Sequence, residues 1–259
     1  MDGLGDRMKA YERATRAVLP RRTYTVVRVD GRAFHSYLRG AERPFDAGFM
    51  AAMDGVAEAL CTEISGAVLA YTQSDEVSVL VTDFAAPGTE PWFGGVVQKW
   101  CSVAASLATA TLNARRPGAT ALFDARAFTI ADPADVAAYL LWRQRDAVRN
   151  SIAMAAQSVF PHRRLQGLHS GALQELLFAE AGINWNDYPP QCRRGRLTAR
   201  TQVEREVRYT HQRTGEEHTA VIARGRWETG PAPHFTAAGL TMLIPGYPPL
   251  AQEQAAAQP

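Results

Sequence analysis

The stretch "AYTQSDEVSVLV", residues 70–81, decides how this chain is read. Apolar runs at Val68–Tyr71 and Val77–Val81 flank Gln73, Ser74, Asp75 and Glu76. Short β-branched runs around polar turn residues predict strands, so the stretch predicts a hairpin with two adjacent carboxylates at its tip. Acids at a turn have a plain structural reading, local hydrogen bonding and solubility. The neighbouring segments give them a second one.

Upstream, a helix over 5–19 leads to Pro20, and "TYTVVRV" (23–29) predicts a strand that ends at Asp30-Gly31. "FDAGFMAAMDGVAEALCTEI" (45–64) has apolar residues at helical spacing, with Asp46 as N-cap. After the hairpin come a Pro/Gly-rich loop (83–94), a helix (95–113) and a strand (120–130). The order β-α-β-β-α-β is that of a ferredoxin-like α+β fold. In this topology the first strand pairs beside the hairpin, which predicts Asp30 next to Asp75.

Asp132-Pro133 opens a long helix to about Phe160, with Asp as N-cap and Pro at N1. Ser170 is expected to cap a further helix to about Ala181. Residues 182–197 read as loop, and 198–228 as an exposed two-stranded ribbon around a "TGEE" turn. The expected organisation is a catalytic core over 1–130, a helical region with a C-terminal β-ribbon packed on it over 131–245, and a disordered tail over 246–259.

The 259 residues allow one large domain or two small ones, and a hydrophobic share of 46% excludes a disordered chain. A net charge of +2 does not by itself demand a nucleic-acid partner. Lysine stands only at positions 9 and 99, so the positive charge is nearly all arginine. Arginine grips phosphate as a bidentate fork, although an Arg-rich and Ala-rich codon bias gives the same pattern. Three scattered cysteines without a C-x-x-C exclude a disulfide framework and a zinc site, and fit a reducing compartment. The chain shows no signal pattern and no apolar run of about 18 residues, which predicts a soluble, cytoplasmic protein with no membrane partner.

Converging carboxylates repel by several kcal/mol at an effective dielectric of about 20. A divalent cation relieves this, and magnesium often shares one or two carboxylates with substrate phosphates. Asp30, Asp75 and Glu76 provide such a set, and the carbonyl of Gly31 can join it. "RVDGRAFHSY" (28–37) places Arg32 and His35 in a loop suited to phosphate.

"VVRVDGRAFHSY", "ERPFD" (42–46), "AYTQSDEVSVLV" and "YLLWRQRDAVRNSI" (139–152) resemble the tRNA-His guanylyltransferase family, and more closely its bacterial and archaeal 3′-to-5′ polymerase branch. The resemblance implies a polymerase palm, two Mg²⁺ ions, ATP- or GTP-dependent activation of a 5′ end, and nucleoside triphosphates added to the 5′ end of tRNA. It also implies a homotetramer. By the same resemblance Asp30 and Asp75 are metal-binding aspartates and Gly31 is a carbonyl ligand. Glu76 is an essential neighbouring acid. Arg32, Ala33, Phe34, His35, Arg43, Asp46, Ser74 and Lys99 bind nucleotide. Val148-Arg149-Asn150-Ser151 stands where eukaryotic members carry His-Ile-Asn-Asn, a departure that favours templated 5′-end repair, with tRNA-His guanylylation as the other activity the resemblance implies.

Arg149 and Asn150 on the long helix, and Arg193, Arg194 and Arg196 near the ribbon, are candidate RNA contacts. Trp142 reads as core and Trp185 as a base-stacking candidate. The rival readings are a nucleotide cyclase on a palm-like fold and a non-catalytic RNA-binding protein.

Overall fold

The computed structural model describes residues 3–210, 215 and 217–246. Its strands are β1 (Tyr24–Gly31), β2 (Ala67–Gln73), β3 (Glu76–Thr82), β4 (Phe123–Ile130), β5 (Arg196–Thr210) and β6 (Glu217–Pro231). Its helices are α1 (Leu4–Arg13), α2 (Phe34–Tyr37), α3 (Ala47–Glu63), α4 (Val97–Arg115), α5 (Pro133–Val159), α6 (His162–Leu165), α7 (Ser170–Ala181), α8 (Pro190–Arg194) and α9 (Ala237–Thr241).

The strands form one antiparallel sheet in the order β4-β1-β3-β2-β5-β6. The first four reproduce the ferredoxin-like order expected from the element sequence. Successive strand residues point to opposite faces, and both faces are covered. Val27, Val29, Val77 and Val79 pack under α3 and α4 with Met53, Val56, Leu60 and Trp100. Tyr24, Val26, Leu69 and Leu80 pack on the other face with Val136 and Leu140 of α5. Two-sided burial explains why these strands read as nearly continuous apolar runs. The far half of α5 joins a third cluster with Leu173, Leu177 and Trp185.

Capping follows the sequence at two helices. Asp46 accepts from the Phe49 N–H at 2.7 Å and Asp132 from the Ala134 N–H at 2.7 Å, with Pro133 opening α5. At α7 the expected Ser170 cap is corrected. His169 is the N-cap, its Nδ1 accepting from the Ala172 N–H at 3.3 Å, and Ser170 is the first helical residue. The first helix stops at Arg13 rather than reaching residue 19, because Val18 bridges to Val96 and the Leu19 N–H donates to the Gly95 carbonyl. The expected loop at 182–197 contains the short helix α8. The ribbon is joined to the palm sheet: Arg196–Ala199 of β5 pair with Leu69–Thr72 of β2. Part of the "TGEE" turn, and the expected disordered tail beyond Gly246, lie outside the described residues.

Candidate active site

The register of β1 against β3 sets Asp30 directly opposite Glu76. β2 ends at Gln73 and β3 starts at Glu76, so Ser74 and Asp75 make a two-residue turn, with Ser74 at φ 47°. Positive φ in so tight a turn matches the twist of the flanking strands. The Gly31 N–H donates to the Asp75 carbonyl at 3.2 Å, tying the end of β1 to the hairpin tip. Asp30 and Asp75 therefore come together as the topology predicts. Gly31 is glycine for a steric reason: a Cβ there would meet the Phe34 ring at 2.3 Å.

Burial pushes the Asp75 carboxyl up to about 6; hydrogen bonds from its own amide and from Ser74 oppose this, and the charges of Asp30 and Glu76 add to it. Glu76 has another partner. It receives a bidentate pair from Arg143, Nε to Oε1 at 2.8 Å and Nη2 to Oε2 at 2.7 Å, with Arg28 Nε 3.9 Å away. Burial raises the Glu76 carboxyl and the Arg143 guanidinium pulls against it. Arg143 also donates to Asp146 at 3.0 Å, and Asp146 pairs with Arg149. Burial alone would raise Asp146; Arg149 and Arg143 outweigh it and hold its carboxyl below the usual range.

Glu76 thus stands apart from Asp30 and Asp75 in having a cationic partner of its own. Glu76 is buried, and a buried carboxylate without a partner is costly, so it is committed to Arg143. Among the described residues no group of three or more His, Cys, Asp or Glu side chains is arranged to hold a metal. Asp30 and Asp75 still fit magnesium. They are hard oxygen donors, their number suits an ion whose remaining ligands are substrate phosphates and water, and Asp75 carries the electrostatic cost of a partly buried acid without a paired cation among the described residues.

Two cavities meet at this hairpin tip. A cleft of about 360 Å³ has apolar walls from Phe34, Leu38, Phe45, Phe49 and Met50. A groove of about 640 Å³ holds Arg28, Asp30, Glu76, Trp142 and Arg143. Gln73, Ser74, Asp75, Asn150, Met154 and Gln157 line both. An apolar slot and a charged groove sharing one carboxylate suit a ligand with a flat ring at one end and phosphates at the other.

The family model for tRNAHis guanylyltransferase (Thg1) matches residues 5–131. A solved structure titled a bacterial tRNA(His) guanylyltransferase (Thg1)-like protein in complex with ATP is 38% identical, with a TM-score of 0.77, covering 90% of this chain and 94% of that one. A second of the same description, in complex with GTP, is 35% identical with a TM-score of 0.75 and coverages of 93% and 97%. The tRNA(His) guanylyltransferase of Schizosaccharomyces pombe is 28% identical over 218 residues, 77% of this chain and 81% of that protein.

The chain belongs to the tRNA(His) guanylyltransferase family. It is a nucleotidyltransferase of the Thg1 kind.

The structure distributes the residues that the resemblance to Thg1 proteins picked out. Arg32 is exposed and its N–H is taken by the Leu122 carbonyl at 2.8 Å. Ala33 adopts φ 56°, a left-handed conformation unusual for alanine, just before α2. Phe34 is 4% exposed and stacks among Tyr37, Phe49 and Phe123, so it shapes the cleft from the core side. His35 is exposed, its Nε2 3.0 Å from Ser36 Oγ. Arg43 stands on the cleft rim. Asp46 lines the cleft, but its oxygens are engaged. Arg116 first, then the Phe49 amide, holds its carboxyl below the usual range. Lys99 lies over the Phe93 ring at 5.5 Å and lines neither cavity.

Of the candidate RNA contacts, Arg149 and Asn150 are exposed on α5. Arg193 lies over the Trp185 ring at 5.4 Å, and Arg194 is half-buried with its carbonyl accepting from the Tyr71 hydroxyl at 2.7 Å. Arg196 does not belong to an exposed arm. It is 4% exposed and paired with Asp54, because β5 starts inside the sheet edge. The expected burial of the two tryptophans is reversed. Trp185 is 8% exposed, its indole N–H donating to Ser151 Oγ at 3.3 Å, whereas Trp142 is 50% exposed in the groove wall. Sequence reading missed Arg143, Asp146 and Arg28. Arg143 is separated from Glu76 by 67 residues; helical spacing sets it on a different face from Arg145 and Arg149, but not against a particular acid.

Proposed function

We propose that this chain adds nucleotides to the 5′ end of tRNA, in templated 5′-end repair, after an ATP- or GTP-dependent activation of that end. The observation that carries the reading is the meeting of Asp30, in the charged groove, with Asp75, on the wall that groove shares with an apolar cleft. The relatives solved with ATP and with GTP support a nucleotide in one of these cavities.

In this reading Asp30, Asp75 and the carbonyl of Gly31 hold magnesium, two ions when substrate phosphates are present. Bound there, magnesium stabilises the negative charge that gathers on the transferring phosphate. The protein's own groups do the rest. The apolar cleft takes the base of the activating nucleotide, with Arg43 at its rim. Ser74 and His35, beside Asp75, face its phosphates. Arg28 and Arg143, held by Glu76, place guanidinium donors in the groove, where preorganised donors lower the cost of developing charge. Arg149 and Asn150 meet the RNA, and the assembly is a homotetramer, as the family resemblance implies.

The test is incubation of a 5′-truncated tRNA with nucleoside triphosphates and Mg²⁺, with and without a base opposite the missing position. Extension that follows the template base supports the reading. Absence of extension by the wild type defeats it, and extension by Asp75→Ala removes the metal assignment.

A further inference from the structure

Trp142 presents half of its surface to solvent inside the groove that holds Asp30 and Asp75. A large indole left open in a concave, charged site is a poor use of apolar surface unless something covers it. The ring is also braced. Tyr139 meets it at 5.8 Å between centroids and is itself packed edge-on against Phe128 at 5.6 Å. The Tyr139 and Ser78 hydroxyls are 2.9 Å apart. The Arg143 guanidinium lies 4.5 Å from the indole centroid and is fixed in turn by Glu76. Farther along the same helix the groove is lined by Ala153 and Met154, with Asn150 and Gln157 as polar groups. Gln73 lines the same groove, and its Oε1 is buried without a hydrogen-bond partner.

From this geometry we infer that Trp142 is a stacking platform for a nucleobase beside the Asp30–Asp75 pair. The inference rests on the reading that the chain handles nucleotides and RNA. An indole held rigid loses little entropy when a flat ring settles on it, and its π-face accepts every base. A cation against the ring strengthens the platform, because Arg143 stays charged in its pairing with Glu76. The groove's size, about 640 Å³, is that of a nucleotide-sized ligand site. The base comes either from a free nucleoside triphosphate or from the 5′-terminal residue of the RNA.

The test compares the wild type with Trp142→Phe, which keeps a π-face, and Trp142→Leu, which keeps apolar bulk without one. Equilibrium binding is measured with nucleoside triphosphate alone, with 5′-truncated tRNA alone, and with the same RNA carrying an abasic 5′-terminal residue. Thermal unfolding checks that each variant is folded. Trp142→Leu should bind one of the first two probes about tenfold more weakly, the loss expected for one stacked base, and Trp142→Phe should stay within about threefold of wild type. The probe affected identifies the source of the base. If it is the RNA, the abasic version should erase the difference between wild type and Trp142→Leu. Equal binding of both probes by wild type and Trp142→Leu overturns the inference, as does a Trp142→Phe loss equal to that of Trp142→Leu. A wild type that fails to extend RNA while Trp142→Leu still loses binding would defeat the proposed reaction and leave the platform standing.

Discussion

Asp75 carries the tension between folding and function at the scale of a single side chain. A carboxyl whose folded pKa rises from 3.8 to about 6 is easier to protonate in the folded state than in the unfolded one. Its charge therefore costs stability above about pH 6, and the cost fades as pH falls toward 4, where both states hold the proton. Replacing it with asparagine removes a charge that nothing in the described protein pairs with a cation. Asp75→Asn is expected to stabilise the metal-free protein by about 1–3 kcal/mol at pH 8 and by almost nothing at pH 4. Urea unfolding at the two pH values, in chelator, measures this; equal stabilisation at both would disprove the electrostatic account. Gly31 is the steric counterpart. Gly31→Ala drives a methyl into the Phe34 ring, so it should lower the melting temperature and disturb the tie between β1 and the hairpin tip. Near-wild-type melting would mean that the ring moves aside at no cost.

At the scale of elements, α5 is both a cover for the sheet and the carrier of the site's second wall. Its first turn is fixed by Asp132, whose replacement by alanine is expected to cost about 1 kcal/mol in urea unfolding. Midway along, Arg143 reaches across to Glu76 on β3 and clamps helix to sheet beside the aspartates. Removing one member of a buried pair leaves the other uncompensated, so Arg143→Met alone should cost about 3–5 kcal/mol. Combining it with Glu76→Leu should recover much of that loss, and a double-mutant cycle without coupling would show that the pair does not clamp. Such a clamp was not legible in the sequence. The hairpin and its neighbours were, because a short polar tip between two apolar runs leaves few ways to pair the strands, and Asp30 beside Asp75 followed directly. Burial on α5 was harder. Helical spacing sets Arg143 on a different face from Arg145 and Arg149, but only the packed helix shows that this face meets Glu76. Trp142 misled because an apolar neighbourhood in sequence is a poor guide to which side of a 27-residue helix meets solvent, and Trp185 because a polar loop can still fold its one large ring onto a helix.

On the scale of the whole molecule, stability is unevenly spread along β5 and β6. The two strands pair with each other from Arg196–Pro231 out to Thr210–Glu217. Only the first residues, Arg196–Ala199, have β2 as a second neighbour. There Thr198 is fully buried and bonded to Thr229 at 2.8 Å, whereas farther out Gln202, Val203 and Glu204 are exposed, as are Ala223 and Arg224 across from them. A two-stranded ribbon with both faces in water is marginal by itself, since it buries little and pays the full conformational entropy of ordering. Hydrogen exchange should therefore divide β5 sharply. Amides of residues 197–199 should be protected to near the global unfolding free energy, and those of 202–208 should exchange through local opening. Uniform protection along the ribbon would mean that its outer half is covered in solution by another surface. Protection that appears only on adding tRNA would assign that cover to the RNA, and the exposed Arg208 and Arg224 would be its first contacts to test by salt dependence.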